Sequence, residues 1–336
     1  MEVCFVYLDP HPSHKGFAEA VNAKFCHYHG KFKDLRIPRA LKSFFGGLTL
    51  PKADIYLAEG GAPLLPIWIK KRSHKALNIE IVGDETFMVF EETSKELRKD
   101  YPWYVNKVHK ITMKSIDGAI AVSKMAEESI RKYLDIPTSV VYPYIEPELY
   151  ERLRNVNPNI ESFNIISVGY ARSSKGMDIL LQAFKIVKKE VDSAELFIVG
   201  KGHPREWEKF EGVHVLGYVQ DLATYFEKCS LFVQSSRADT FPVATLEALR
   251  AGLPVIVTEK VGTKEVVENL RKDFVRKVSA EDIAEGILNY FDLSISKKVE
   301  LSKKARELSE PFNKEEMCKR FREEFWKIVD EISPEK

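Results

Sequence analysis

The sequence is short of several features that would have decided its class at once. Its four cysteines (Cys4, Cys26, Cys229 and Cys318) form no C-x-x-C pair. That excludes a disulfide scaffold and a cysteine zinc knuckle, and it suits a reducing cytoplasm. Net charge is nearly absent, since 51 Lys and Arg against 50 Asp and Glu leave +1. A protein that coats nucleic acid needs a basic excess to displace counterions, so no nucleic-acid partner is expected. Long apolar runs are missing too: the patch APLLPIW, beginning at Ala62, falls far short of the ~18–20 residues that cross a bilayer. The opening MEVCFVYLDP reaches Asp9 quickly and reads as a first strand, not a targeting segment. No strand is followed by G-x-G-x-x-G and a later acid, which disfavours a nicotinamide dehydrogenase. Glutamine occurs three times while charged residues reach 30%, a balance that resembles heat-adapted proteins.

What is present is a regular alternation. Short apolar runs, VCFVYL, DIYLA, NIEIV, GAIAV and SVVY in the first half and FNIISVG, ELFIVG, VHVLG, LFVQS and PVIVT in the second, are separated by segments of helical period. Runs apolar throughout read as strands buried on both faces, and strand–helix alternation predicts right-handed βαβ units with mostly parallel sheets. The segment 176–190 predicts a helix with Ile179, Leu180, Ala183, Phe184 and Val187 on one stripe. A chain of 336 residues holds two such series. The expected division is 1–148, 149–310 and a last helix, 311–336, that returns to the first domain. Pro143, Pro147 and Pro158 punctuate a linker near 146–161.

The most informative stretch is SSRADTFPVATLEALRAGLPVIVTEKVGTKEVV, residues 235–267. It reads strand, loop, helix, turn, strand, with Asp239 and Glu247 eight positions apart across the loop-to-helix junction. An acid one turn into that helix can accept two hydrogen bonds from a ribose diol, and one on the loop can meet sugar hydroxyls. Free amides at the helix start, near Phe241 to Ala244, suit a diphosphate. Taken alone, an acid pair at this spacing occurs by chance on many helical surfaces.

The stretch resembles the E-x7-E signature of the retaining glycosyltransferase family four, enzymes of the two-Rossmann GT-B fold. SVGYARSSKGMDILLQAF (167–184) resembles the family's G-R-x-x-x-x-K-G segment, and DGAIAVSKMAEESI (117–130) and VVYPYIE (140–146) resemble its strand–helix and exit segments. The resemblance is close from about residue 140 onward and loose before it. It implies an α/β GT-B fold with two Rossmann-like domains and a C-terminal helix crossing back. It also implies a nucleoside-diphosphate sugar as donor substrate, no cofactor and no metal. Glu247 would hold the ribose and Asp239 the donor sugar. Lys175 and Arg172, in the loop after Gly169, would clamp the diphosphate, and Tyr218, Val219 and Thr240 would lie beside the base and sugar. Two positions depart from the family pattern: Asp239 stands where Glu is usual, and Tyr170 where Arg is usual, with Arg172 two positions on.

The first half would then take the acceptor. HPSHKGFAEA (11–20) carries one glycine, Gly16, beside His14 and Lys15, where the family has a glycine-rich loop; a phosphate contact and a plain turn into a helix both fit. IVGDETF (81–87) puts Asp84 or Glu85 where the family has a histidine, as an acceptor-orienting carboxylate or as a helix cap. Two basic clusters, Lys31, Lys33, Arg36, Arg39 and Lys42 leading into Phe44 and Phe45, and Lys70, Lys71, Arg72 and Lys75 after Trp68, suit a peripheral membrane surface or a phosphate-bearing acceptor, or else an ordinary solvated helix face with its aromatics in the core. The expectation is a glycosyltransferase of the cytoplasm, acting on a glycan, lipid-linked or small acceptor and open to the inner membrane face. A non-catalytic nucleotide-sugar binder is the alternative, and a sugar-nucleotide epimerase is a more distant one.

Overall fold

A computed structural model describes residues 1–32, 34, 39–84, 86–89 and 105–333. All ten apolar runs are strands, and all the strands pair in parallel. The chain divides into two compact units, Met1–Tyr144 with the C-terminal segment from Lys314, and Ile145–Asn313.

In the first unit the elements run β1 (Val3–Tyr7), α1 (Pro12–Ala20), β2 (Lys24–His27), α2 (Arg39–Thr49), β3 (Ile55–Glu59), α3 (Leu64–Lys71), β4 (Leu77–Val82), α4 (Thr86–Val89), α5 (Val105–Thr112), β5 (Gly118–Ala121), α6 (Lys124–Arg131) and β6 (Thr138–Val140). The sheet order is β2-β1-β3-β4-β5-β6. The connection after β1 leads one way along the sheet and those after β3 the other, so the topology switches between β1 and β3.

The second unit runs α7 (Pro147–Arg154), β7 (Asn164–Val168), α8 (Met177–Glu190), β8 (Glu195–Val199), β9 (Val213–Gly217), α9 (Leu222–Lys228), β10 (Leu231–Gln234), α10 (Val243–Arg250), β11 (Val255–Thr258), α11 (Lys264–Leu270), β12 (Val275–Arg276), α12 (Ala280–Phe291) and α13 (Ile295–Ser309). Its order, β12-β11-β10-β7-β8-β9, switches between β7 and β10. In open α/β sheets of this kind ligands bind beyond the carboxyl ends of the strands at the switch point.

The last helix, α14 (Lys314–Ile332), belongs to the first unit. Phe321 stacks on Phe17 of α1 with ring centroids 4.6 Å apart, and Glu324 accepts a 2.6 Å bond from Ser139. Gly118 makes the close approach possible, because a Cβ there would lie 2.5 Å from an Ile328 methyl.

Two local expectations change. Residues 146–161 are not a bare linker: Pro147 starts α7, since proline at a first helical position sacrifices no hydrogen bond. The Arg306 guanidinium then donates to the last carbonyls of α7 at Leu153 and Arg154 and to Arg250 at the end of α10. On α8 the buried stripe runs through Leu180, Leu181, Ala183, Phe184 and Val187, with Ile179 half-buried at its margin.

Candidate functional site

The loops that leave β7 and β10 are tied together at the second unit's switch point. Gly176, in the left-handed region at φ +63°, ends a short turn and lies against the Ser235 carbonyl; a Cβ would sit 2.1 Å from that oxygen. Only glycine supplies both the dihedral and the clearance. Ser235 Oγ donates to the Gly176 carbonyl at 2.9 Å, and the amides of Arg237 and Ala238 donate to Ser174 O at 2.7 and 3.2 Å. The Arg237 guanidinium reaches back to Ser173 O at 2.9 Å and forms a two-pronged pair with Asp178 at 2.8 and 2.6 Å.

On this platform Lys175 Nζ lies 2.6 Å from Asp239 Oδ2. Asp239 is 4% exposed, and its backbone is pinned by bonds to Lys260 O and from the Gly262 amide. Two of the sequence candidates are therefore one ion pair, and a ligand there meets a lysine already aimed by a carboxylate. Thr240 and Phe241 follow, both buried, with Phe241 6.2 Å from the Phe312 ring. Pro242 precedes Val243, the first residue of α10, and no side chain caps the helix. A helix start without a side-chain cap is one an anion can satisfy.

Glu247 lies on the second turn of α10. Its carboxyl accepts no hydrogen bond from any described residue, and burial alone pushes its pKa up to about 7. A desolvated carboxyl without a protein partner is poised for a hydroxyl-bearing ligand. Arg172 is exposed, and its side chain has no partner among the described residues. Gly169 closes the bend after β7: its amide donates to Val199 O at 2.9 Å and its carbonyl meets the His203 ring at 2.8 Å. Tyr170 and Tyr218 are 58% and 64% exposed, with Lys201 Nζ 5.1 Å from the Tyr218 ring centroid and Val219 half-buried beside it.

In the first unit the candidates separate. Gly16 is not in a phosphate loop. It lies inside α1, where a Cβ would fall 2.0 Å from the Tyr144 hydroxyl oxygen, so its small size serves packing. Asp84 accepts from the amides of Gly61 and Thr86, each at 3.0 Å, and so begins α4. Glu85, Lys33 and Arg36 lie outside the described residues, as does the side chain of Arg39. The second basic cluster is largely engaged: Lys71 pairs with Asp117 and Arg72 lies 4.2 Å over the Trp68 ring. On α2, Gly46 and Gly47 form the inward face, so that Leu41, Phe44, Phe45 and Leu48 turn outward at 37–58% exposure. Among the described residues no helix is long and apolar enough to cross a membrane.

The sequence reading passed over Glu59, Glu80 and His109, which meet Asp84 in the first unit. The signal available was the pair Glu59-Gly60-Gly61 directly after a strand, since glycines there admit bulky neighbours: Cβ atoms at 60 and 61 would lie 2.4 Å from Asp84 Oδ2 and 2.7 Å from His109 Cε1.

Comparison with known proteins falls on the same ground. Residues 162–292 match the family model described as Glycosyl transferases group 1. An uncharacterized glycosyltransferase of Haemophilus influenzae is 26% identical over 182 residues, half of each chain. N,N'-diacetylbacillosaminyl-diphospho-undecaprenol alpha-1,3-N-acetylgalactosaminyltransferase of Campylobacter jejuni is 25% identical over 195 residues, 55% of this chain and 49% of that one. The chain spans about half the length of these relatives. Among solved structures, sucrose-phosphate synthase from Thermosynechococcus elongatus superposes with a TM-score of 0.77 at 14% identity, covering 98% of this chain and all of the other. Anabaena HepE in complex with UDP and glucose gives 0.71 at 15%, covering 97% and 100%. The fold is thus the two-domain α/β fold of these proteins, and the segment matching the glycosyl transferases group 1 model contains the whole Lys175–Asp239–Glu247 constellation.

Proposed function

We propose that the chain is a retaining glycosyltransferase that moves a sugar from a nucleoside-diphosphate sugar to an acceptor hydroxyl. The observation that carries this reading is the convergence of an aimed lysine, an uncapped helix start and an unpartnered carboxyl at one switch point, inside the matched segment. Glu247 accepts the ribose hydroxyls. Asp239 meets the donor sugar, and Lys175, Arg172 and the amides at Val243 neutralise the departing diphosphate. These groups supply positive charge without a metal. In a front-face displacement the bond from the anomeric carbon to the phosphate oxygen breaks as the acceptor oxygen approaches from the same side. The leaving phosphate then takes the acceptor proton.

Solved HepE structures hold UDP, and the Campylobacter relative is named for a diphospho-undecaprenol acceptor, so UDP-sugars and lipid-linked acceptors come first in any screen. The outward apolar face of α2 beside Lys42 supports contact with a membrane surface at its cytoplasmic side. Asp239 and Tyr170, which depart from the family pattern, favour a second reading as a binder without transfer.

Thermal denaturation with UDP, GDP, ADP and their sugars tests the donor site. One nucleotide at a hundred times its Kd stabilises the protein by roughly 2.7 kcal/mol, and Glu247→Ala removes the effect. Indifference to every nucleotide refutes the donor site. Release of free sugar or product from the stabilising donor separates the enzyme from the binder.

A further inference from the structure

The first unit has a built polar cluster at its own switch point, where the ends of β1, β3 and β4 meet. His14, on the first turn of α1, is 5% exposed, and its Nδ1 lies 2.6 Å from Glu59 Oε1 at the end of β3. The same oxygen accepts the His11 amide at 2.8 Å. A carboxylate only accepts, so Nδ1 carries a proton toward Glu59, and Nε2 is the ring nitrogen left to a ligand. Nε2 has no hydrogen-bond partner among the described residues. Gly83, after β4, leaves the ring its place: a Cβ there would lie 2.4 Å from His14 Cε1 and 3.0 Å from Nε2.

Resting on the glycosyltransferase reading, we propose that His14, oriented by Glu59, is the residue that receives the acceptor, its Nε2 sharing a hydrogen bond with a hydroxyl of a neutral sugar.

The neutrality follows from what surrounds it. Glu59 and Asp84 stand at the strand ends, and Glu80 lies fully buried on β4 with neither carboxyl oxygen hydrogen-bonded. In register Glu80 is flanked by Ala58 and Ala119, whose small side chains leave it room and give it no donor. Burial and the nearby charges of Asp84 and Glu59 hold Glu80 well above the usual carboxylate range. Three carboxyls gathered at one place disfavour a phosphate or carboxylate on the ligand and leave a hydroxyl unaffected. His109, which faces Asp84, is itself held below its ordinary value by burial.

The test uses the full chain labelled with 15N-histidine and saturated with UDP, titrated with methyl glycosides of glucose, galactose and N-acetylglucosamine and, separately, with glucose 6-phosphate and glycerol 3-phosphate. The expected result is movement of the His14 Nε2 resonance by a neutral glycoside and not by the phosphates. His14→Asn keeps an N–H toward Glu59 and removes Nε2. In transfer from a labelled UDP-sugar to the bound glycoside it raises the acceptor KM about 10–100-fold, with kcat and the nucleotide-induced thermal shift little changed. Movement by the phosphates alone, no movement with any glycoside, or an unchanged acceptor KM in His14→Asn overturns the proposal. If no nucleotide stabilises the protein, the donor reading falls, and the same imidazole titration run without UDP decides this one.

Discussion

At the carboxyl edge of the second sheet Lys175 meets Asp239 beside a helix start that no side chain caps; at the same edge of the first sheet His14 meets Glu59 beside Asp84 and buried Glu80. The two places are equivalent in topology, since each lies where the strand order reverses. They differ in charge. The second offers a lysine, an exposed arginine and an uncapped helix start beside the paired Asp239 and the unpartnered Glu247, while the first gathers three carboxyls around two imidazoles. Topology thus decides where a ligand binds, and the side chains decide which chemistry it brings.

The comparison breaks first at Lys175. If the second site neutralises a diphosphate, Lys175→Met lowers kcat/KM for the donor by about 10²–10³-fold, as loss of one preorganised charge at a developing anion does. Steady-state kinetics check this, and a loss below tenfold moves the phosphate role elsewhere.

Glycines give the next contrast, because both sites need one at positive φ. Gly176→Ala drives a Cβ into the Ser235 carbonyl, which is backbone, whereas Gly60→Ala at φ +68° drives it into the Asp84 carboxylate, a side chain that can turn. We expect Gly176→Ala to cost about 2–3 kcal/mol in urea denaturation and Gly60→Ala about 1 kcal/mol. Equal costs would mean that the two loops are equally rigid.

Glu247 sharpens the comparison through pH. Its pKa is raised from 4.5 to about 7, so the folded protein without nucleotide holds this proton where the unfolded chain releases it. That contribution to stability is complete below pH 4.5 and fades as pH rises through about 7. Ribose binding needs the ionised form and therefore runs the other way. Affinity for uridine, which lacks titrating phosphates, tightens about tenfold between pH 6 and 8 in calorimetry, while Glu247→Gln shows a flat profile.

Legibility in the sequence followed locality. The donor constellation lies almost within one stretch, since the loop, helix start and Glu247 are consecutive in chain and in space. Apolar strands in the sheet interiors were equally plain. Lys24–His27 and Val275–Arg276 were missed as strands because they sit at sheet edges, short and with polar residues facing water. The His14–Glu59 pair joins residues 45 apart, and only the order of strands in the sheet brings them together. Which way Phe44 and Phe45 face was open for another reason. Apolar residues normally face inward, but here two adjacent glycines take the inner face, since only they allow α2 to approach the Tyr28–His29 backbone and Pro66 so closely.

That outward face gives the smallest expected effect, and it again sets two regions side by side. The α2 face carries Leu41, Phe44 and Leu48 exposed beside Lys42, whereas the later cluster has Lys71 bound to Asp117 and Ser115 O. If an anionic bilayer is the partner, Phe44→Ser weakens sedimentation with anionic vesicles about fivefold, the share of roughly 1 kcal/mol from one partly inserted ring. Lys71→Met leaves vesicle binding unchanged and lowers Tm instead, because its charge is already spent inside the fold. Binding that falls with Lys71→Met and not with Phe44→Ser would mean that charge, and not the apolar face of α2, makes the contact.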